Sequence, residues 1–441
     1  MFRVRPPIDS REKAIVLGGS SSGSRMLLGR LAELGPQREV WLDLDSEHVI
    51  AVVGKRGSGK THTLGVIVEG IGSSIAGAVH RNAATDRPHA VVVFDTLNLF
   101  QWINVPLAAA QGPHAARQRE LAKKWGLDPQ PIEPTLWHPI GSEPAAAASQ
   151  PFSINPGDMD SQDWGRLLGV DTVADPMGQL LADVLSKLRP RDPAGAKARY
   201  SIADMLDVVR VDKQIAADFA PETIRAVRQR LVSLSRTPLF DANQPDWTKA
   251  LVPGKVAVFL LGRVPEDLRT LLVFLVMRRL LEARSAASET SKHNAITGAA
   301  KAASLVPPTW VVIDEAQNIM PTRNLGPTND ILTRFVREGR NFGLSLALTT
   351  QQPGSIDARV MAQVDTLVVH NLTVRSDVNY SVSNLKSADA GGIQNGGKEI
   401  SLSDSIRLLA PGECMISTTD AARVLFCEVR PRLTLHGGFE A

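Results

Sequence analysis

The chain has 441 residues, 43% of them hydrophobic, and a formal net charge of only +3 at pH 7. This length suits one large domain or two to three ordinary domains, and the hydrophobic fraction supports a substantial core. The near balance of charge excludes a protein that binds polyanions with its whole surface, so any nucleic-acid site must be a local basic surface.

The N-terminus and the apolar runs indicate where the chain resides. Residues 1–7 lack the apolar core of a signal peptide. The best candidate for a membrane segment, residues 271–277, ends at Arg278 and is too short to cross a bilayer. We therefore expect a cytoplasmic protein without membrane contact. The two cysteines, Cys414 and Cys427, fit reduced core thiols better than a disulfide framework.

In chain order, the first segment covers residues 1–47 and is short and β-rich. Residues 40–45 alternate with a period near two, which is typical of a strand. We expect this segment to precede a larger core that spans residues 48–441. Residues 48–53 are apolar and rich in β-branched side chains, and they predict a buried strand at the start of that core.

Residues 54–61 read Gly-Lys-Arg-Gly-Ser-Gly-Lys-Thr, a complete phosphate-binding loop. The loop lies between the predicted strand and a predicted helix. Its glycines let successive N–H groups face an anion, and the helix N-terminus adds partial positive charge. Lys60 is expected to reach the β- and γ-phosphates of ATP, and the Thr61 hydroxyl is expected to bind Mg²⁺. The predicted nucleotide-binding residues are Gly54, Gly57, Ser58, Gly59, Lys60, Thr61 and His62.

The middle of the chain carries another buried-strand pattern at residues 90–95 and then a largely helical insertion at residues 103–250. A strand pattern at residues 256–261 and a helix from Pro265 to about Arg284 follow. Residues 285–308 are polar and small, and we interpret them as a linker.

The strand pattern at residues 310–313 ends in two acids, Asp314 and Glu315. An apolar strand that ends in Asp-Glu downstream of a phosphate loop has the groups that ATP hydrolysis needs. Asp314 is expected to hold the Mg²⁺ shell, and Glu315 is expected to orient and deprotonate the attacking water. The alternative is a pair of solvated acids at a strand end.

The next strand pattern, residues 344–349, has polar residues on both sides. Gln351 follows it and is our candidate for a side chain that touches the γ-phosphate or the attacking water. Arg337 and Arg340 precede it, and either arginine would be able to complete a neighbouring subunit's site as a finger in trans, with Arg340 favoured. An ordinary surface or sheet-edge salt bridge is the alternative for these two arginines.

Strand patterns alternate with helical patterns over most of the chain, and several strands are apolar throughout. Residues 410–438 add strands at the C-terminus. This order predicts an α/β fold with a mainly parallel sheet that is covered on both faces.

The motifs as a set resemble one family. The phosphate loop, Val-Val-Ile-Asp-Glu-Ala at 311–316, Arg-Glu-Gly-Arg-x-x-Gly at 337–343 and Thr-Gln-x-Pro at 350–353 are similar to those of the HerA branch of the HerA/FtsK ATPases. The C-terminal segment 430–438 is similar to the tail of that family. The resemblance covers roughly residues 38 to 438.

The resemblance implies a RecA-like core, a hexameric ring and ATP-driven movement of double-stranded DNA through a central pore, independent of DNA sequence. In that family a β-barrel precedes the core and partner nucleases dock on the ring. Here the N-terminal segment is short for a complete barrel. Gln317 stands where relatives often have His, and Gln352 stands where they often have Arg.

We therefore expect an ATP-hydrolysing ring motor that translocates double-stranded DNA and serves a partner nuclease or a DNA-modification or defence system. Two alternatives remain open. One is an ATPase that gates a partner enzyme without processive translocation, and the other is a motor of the protein-secretion type.

Overall fold

The computed structural model describes residues 8–9, 14–19, 23–32, 38–72, 79–81, 89–143, 148–188, 199–241, 247–298, 306–319, 327–386, 393–395, 398–419 and 424–438. Its strands are β1 (Ile8–Asp9), β2 (Ala14–Leu17), β3 (Arg25–Leu31), β4 (Glu39–Asp43), β5 (Val49–Val53), β6 (His80–Arg81), β7 (Ala90–Asp95), β8 (Thr135–Pro139), β9 (Gln150–Phe152), β10 (Val256–Leu260), β11 (Thr309–Ile313), β12 (Leu344–Thr350), β13 (Thr366–Val369), β14 (Ile393–Asn395), β15 (Lys398–Ile400), β16 (Glu413–Thr418) and β17 (Leu425–Val429). Its α-helices are α1 (Lys60–Ile71), α2 (Pro113–Lys124), α3 (Ser161–Leu168), α4 (Pro176–Leu188), α5 (Ile202–Val211), α6 (Lys213–Asp218), α7 (Pro221–Ser235), α8 (Glu266–Thr297), α9 (Pro327–Glu338), α10 (Ala358–Met361), α11 (Arg375–Ser383) and α12 (Leu402–Leu408).

Across the described ranges, 15 strands join one sheet in the order β1-β2-β4-β3-β17-β16-β13-β5-β12-β11-β7-β10-β8-β9, with β6 beside β3. Every neighbouring pair from β13 to β9 is parallel. The strands β5, β7, β10, β11 and β12 are buried along their whole length. Strands that are covered on both faces read as continuous apolar runs, which is the pattern the sequence shows. The predicted α/β class with a mainly parallel sheet is confirmed.

Each central strand supplies both faces of the sheet with core side chains. In β5, Ala51 and Val53 belong to the larger hydrophobic cluster, which includes residues of α4, α7 and α8. Ile50 and Val52 belong to a second cluster, which includes residues of α1 and the N-terminal strands. The alternation follows from the two-residue period of a strand.

The strand order places the reactive segments beside one another. β12 lies between β5, which leads into the phosphate loop, and β11, which leads into Asp314 and Glu315. Since these strands are parallel, their carboxyl ends lie along one edge of the sheet. The amino ends of β5, β12 and β13 lie along the opposite edge.

The two ends of the chain meet in the sheet. β3 pairs antiparallel with β17, so that Leu31 lies opposite Cys427. β17 in turn pairs with β16, and β16 pairs with β13. Cys414 and Cys427 lie opposite each other in register and are buried, free thiols. The division at residues 47 and 48 stays a prediction.

The helix α8 extends beyond its predicted C-terminal boundary. The sequence indicated a helix to about Arg284 and then a linker, whereas α8 continues to Thr297. The run after Arg284 contains no Gly or Pro before Gly298, which ends the helix in the left-handed conformation with φ 70°. In the described ranges, no helix has the length and apolar character needed to cross a bilayer.

Candidate nucleotide-hydrolysis site

The phosphate loop is a tight turn that packs against a neighbouring segment of the chain. Gly59 precedes α1 with φ 114°, a conformation that L side chains rarely adopt. A Cβ at Gly54 would lie 2.5 Å from Ser58 Oγ and 2.8 Å from His370 Cβ, so only glycine fits there. The Lys60 ammonium donates to the Lys55 carbonyl over 3.1 Å. Lys60 is 4% exposed, and burial lowers the pKa of its ammonium, while Glu315 and Asp314 oppose that shift.

Asp314 has the geometry of a cation ligand. Its Oδ1 accepts from Thr61 Oγ1 at 3.2 Å and from Thr349 Oγ1 at 2.7 Å. Its Oδ2 is buried and has no hydrogen-bond partner among the described residues. Burial raises the pKa of this carboxyl to about 6, although the hydrogen bond from Thr349 acts in the opposite direction.

These groups fit Mg²⁺. A buried carboxylate oxygen without a partner is costly unless something compensates it, and a divalent cation between it and the Thr61 hydroxyl would do so. The described residues contain no group of three or more His, Cys, Asp or Glu side chains arranged to hold a metal. A site with one carboxylate and one hydroxyl suits Mg²⁺, which usually keeps several waters and binds substrate phosphates.

Glu315 is held on both of its oxygens. Gln351 Nε2 donates to Oε1 at 2.8 Å, Gln317 Nε2 donates to Oε2 at 2.6 Å, and Lys60 Nζ lies 3.8 Å from Oε1. The Glu315 backbone is left-handed, with φ 51° and ψ 59°, and its N–H donates to Thr349 Oγ1 at 2.9 Å. A non-glycine residue in this conformation is strained, and such strain clusters at functional sites.

The contact of the predicted polar sensor, Gln351, with the γ-phosphate or the attacking water stays a prediction. Gln351 lies at the site, where its side-chain amide donates a hydrogen bond to the Glu315 carboxylate. The Gln317 side-chain amide donates a hydrogen bond to the other Glu315 oxygen. In the sequence, Gln317 was notable only as a difference from the family. No spacing in the sequence indicates that these two amides bind one carboxylate.

The two candidate arginines do not lie at the phosphate loop. Arg337 is exposed near the end of α9. Arg340 lies between α9 and β12, at the amino edge of the sheet, where Nη2 contacts Asp365 Oδ2 at 2.7 Å. β5 alone separates that edge from the chain's own phosphate loop by about 16 Å at 3.3 Å per residue. The structure thus brings together Lys60, Thr61, Asp314, Glu315 and Gln351 and leaves Arg337 and Arg340 apart.

The family model described as "Helicase HerA, central domain" matches residues 28–280. The chain belongs to this family. The matched range contains the phosphate loop and ends before Asp314, so the roles of Asp314 and the later residues rest on the geometry above.

The HerA relatives match over short segments. The DNA double-strand break repair helicase HerA of Sulfurisphaera tokodaii is 28% identical over 142 residues, which are 32% of this chain and 27% of that protein. HerA of Pyrococcus furiosus is 22% identical over 174 residues, 36% of this chain and 32% of that protein. The chain thus matches less than a third of the length of either relative.

Solved structures show the same fold. VirB4 of Thermoanaerobacter pseudethanolicus superposes with a TM-score of 0.56 at 13% identity, covering 93% of this chain and 97% of VirB4. The bacterial conjugative coupling protein TrwB, in a form with sulphate, gives a TM-score of 0.51 at 13% identity, covering 96% of this chain and 97% of TrwB. The predicted RecA-like core of the HerA/FtsK P-loop ATPases is confirmed.

His370 supports the loop of this HerA-family chain and was missed as a functional residue. Its Nδ1–H donates to the Glu413 carbonyl at 2.8 Å, and its Nε2 accepts from Thr63 Oγ1 at 2.8 Å. Burial lowers the pKa of its imidazole to about 4, so that the ring is neutral at pH 7. The sequence shows His370 only as the end of a strand pattern, and its partners are far away in sequence.

His62 faces away from the nucleotide side of the loop. Its Nε2–H donates to the Arg430 carbonyl at 2.9 Å, and its ring meets that of His436 edge-on. Any contact of His62 with a nucleotide would therefore come from its backbone N–H, and its place among the nucleotide-binding residues stays a prediction.

The C-terminal tail, residues 430–438, is bound to α1 through the Glu69 side chain. The Glu69 carboxylate accepts from Arg430 Nη1 at 2.8 Å, from Arg432 Nε at 3.2 Å and from Thr434 Oγ1 at 2.7 Å. It also accepts the backbone N–H groups of Leu433 and Thr434, both at 3.0 Å. The three ionised side chains are at most 1% exposed. The sequence identified the tail but not Glu69, which lies inside an otherwise apolar helical run.

Proposed function

We propose that this HerA-family chain is an ATP-hydrolysing ring motor that moves double-stranded DNA. The observation that carries the proposal is the meeting of Lys60, Thr61, Asp314 and Glu315 at the carboxyl ends of β5 and β11. These side chains supply a phosphate cradle, a cation ligand and a base at one place. Their arrangement suits phosphoryl transfer to water, which relies on positioning and charge stabilisation.

Each residue then has a distinct task. The loop N–H groups and Lys60 would hold the β- and γ-phosphates, and Thr61 with Asp314 would hold Mg²⁺, which would supply positive charge against the charge that develops on the phosphate oxygens. Glu315 orients a water and accepts its proton. Gln351 and Gln317 each donate to one Glu315 oxygen and so orient the carboxylate, whose remaining lone pairs can accept a hydrogen bond from the water.

The ring and its DNA substrate rest on the family and on the position of Arg340. The HerA relatives carry the name DNA double-strand break repair helicase. In a head-to-tail ring, the amino edge of one sheet would face the neighbour's nucleotide, and Arg340 is 42% exposed at that edge. A homo-hexamer with an arginine finger in trans would use this arrangement. A nuclease or a DNA-modification or defence partner would supply any chemistry on the DNA itself.

Duplex-stimulated ATP turnover tests the proposal. Wild-type protein is expected to hydrolyse ATP faster when blunt duplex DNA of random sequence is added, and it should displace a bound roadblock from that DNA. Lys60→Ala should do neither, because it lacks the cation that holds the phosphates. Turnover that is abolished by Lys60→Ala but unchanged by DNA would favour the gating ATPase and refute the DNA motor.

A further inference from the structure

Asp365 joins the proposed finger to the strand that carries the phosphate loop. Its Oδ2 accepts two hydrogen bonds of 2.7 Å, one from the Val49 N–H at the start of β5 and one from Arg340 Nη2. Asp365 is 13% exposed. A charge-assisted bond of this length to a largely buried carboxylate is stronger than an exposed surface pair.

The carboxylate itself is fixed in place. Its Oδ1 accepts from Thr366 Oγ1 at 2.8 Å and lies 3.4 Å from His48 Nδ1. The Asp365 N–H donates to the Val49 carbonyl at 3.0 Å, so backbone and side chain both bind the start of β5. Asp365 therefore cannot follow a moving arginine, and the arginine must take the position that the carboxylate sets.

Arg340 retains donors for a phosphate while it is held this way. Its contacts within the described residues, to Asp365 and to the Gln363 carbonyl, both use Nη2. Guanidinium has five N–H donors in a rigid fork. The Nε and Nη1 groups are thus available to an anion that approaches from a neighbouring protomer.

We propose that Asp365 is a positioning residue that orients Arg340 toward the neighbouring protomer's nucleotide. Through its bond to Val49, Asp365 also links the position of Arg340 to β5, the strand that leads into this protomer's own phosphate loop. The inference rests on the proposed ring function. One carboxylate binds both Arg340 and the start of β5, which ends at Val53 directly before the phosphate loop, so the position of the finger is tied to the state of its own site. The bound anion is the γ-phosphate of the neighbour's nucleoside triphosphate.

Steady-state ATP turnover of Asp365→Asn tests this positioning role. Asparagine keeps the shape and an oxygen for the Val49 N–H but loses the charge that aligns Arg340. We expect kcat to fall roughly 10- to 100-fold with KM within about twofold, because misplacing a catalytic group costs rate more than binding. Asp357→Asn is the matched control, since Asp357 is also largely buried and contacts a different arginine, Arg359, at 2.7 Å, so the change should leave kcat unchanged.

The double variant separates positioning from a structural role. If Asp365 acts through Arg340, Asp365→Asn should add no further loss of kcat in the Arg340→Ala background. Additive losses, or an unchanged or higher kcat in Asp365→Asn alone, would overturn the inference. An Arg340→Ala variant with wild-type kcat would instead refute the finger in trans, and a wild-type protein without ATP turnover would refute the proposed function.

Discussion

Removing the Glu69 carboxylate should destabilise the fold far more than removing an exposed one. Glu69→Ala leaves Arg430 and Arg432 buried without their shared anion. Breaking a buried ion pair from one side costs about 3–5 kcal/mol, because the remaining charge has lost both water and partner.

The pKa of Glu69 gives a second value for the contribution of this carboxylate to the free energy of unfolding. Its two arginine partners and the hydrogen bonds of the tail outweigh burial and lower the pKa from 4.5 to about 2. At 1.36 kcal/mol per pKa unit, that difference corresponds to about 3 kcal/mol. Since the folded-state pKa is the lower one, this stability is present above pH 4.5 and is lost as the pH falls toward 2.

Urea unfolding followed by circular dichroism at pH 7 measures the effect. Glu69→Ala should lose about 3 kcal/mol, whereas Glu120→Ala, which removes an exposed i,i+4 pair with Lys124, should unfold at nearly the same urea concentration as wild type. At pH 3 the gap between wild type and Glu69→Ala should narrow. Equal stability of the two variants at pH 7 would refute the reasoning.

Three further outcomes follow from the site. Glu315→Gln should bind ATP with wild-type affinity and lose at least about 100-fold in turnover, since only the base is removed; turnover at the wild-type rate would contradict its role. Mg²⁺-dependent nucleotide affinity, measured by calorimetry, should weaken below about pH 6 as Asp314 becomes protonated, and a flat profile would argue against Asp314 as ligand. Gly65→Ala should lower the melting temperature, because its Cβ would lie 2.6 Å from Arg432 Cζ, while Ala116→Gly on exposed α2 should have a smaller effect.

The central strands could be predicted from the sequence because each is a continuous apolar run, and β5 and β11 are each followed by a functional motif. The phosphate loop and Asp314-Glu315 could be paired for the same reason, since parallel strands bring their carboxyl ends together. The length of α8 was not readable, because small polar residues are common both in linkers and in exposed helix turns.

The contacts across long sequence separations were also beyond sequence reasoning. Glu69 looks like a lone acid in a helix, and Asp365 looks like a strand-end acid, until the fold brings Arg430 and Arg340 to them. Composition and spacing report the local period of a chain, whereas these pairings depend on how β17 and β12 are ordered within the sheet.

The bond between Glu69 and Arg430 also bears on the order in which the chain folds during synthesis. The two residues are 361 positions apart, so the helix behind the phosphate loop acquires its charged partner only when the tail has left the ribosome. At about 5–20 residues per second, that interval is roughly 20–70 seconds. Until then α1 exposes an unneutralised acid on its packing face, and long-range contacts of this kind make folding slow. A nascent chain would therefore complete its nucleotide site among the last steps of folding, after the central strands are already available to pair.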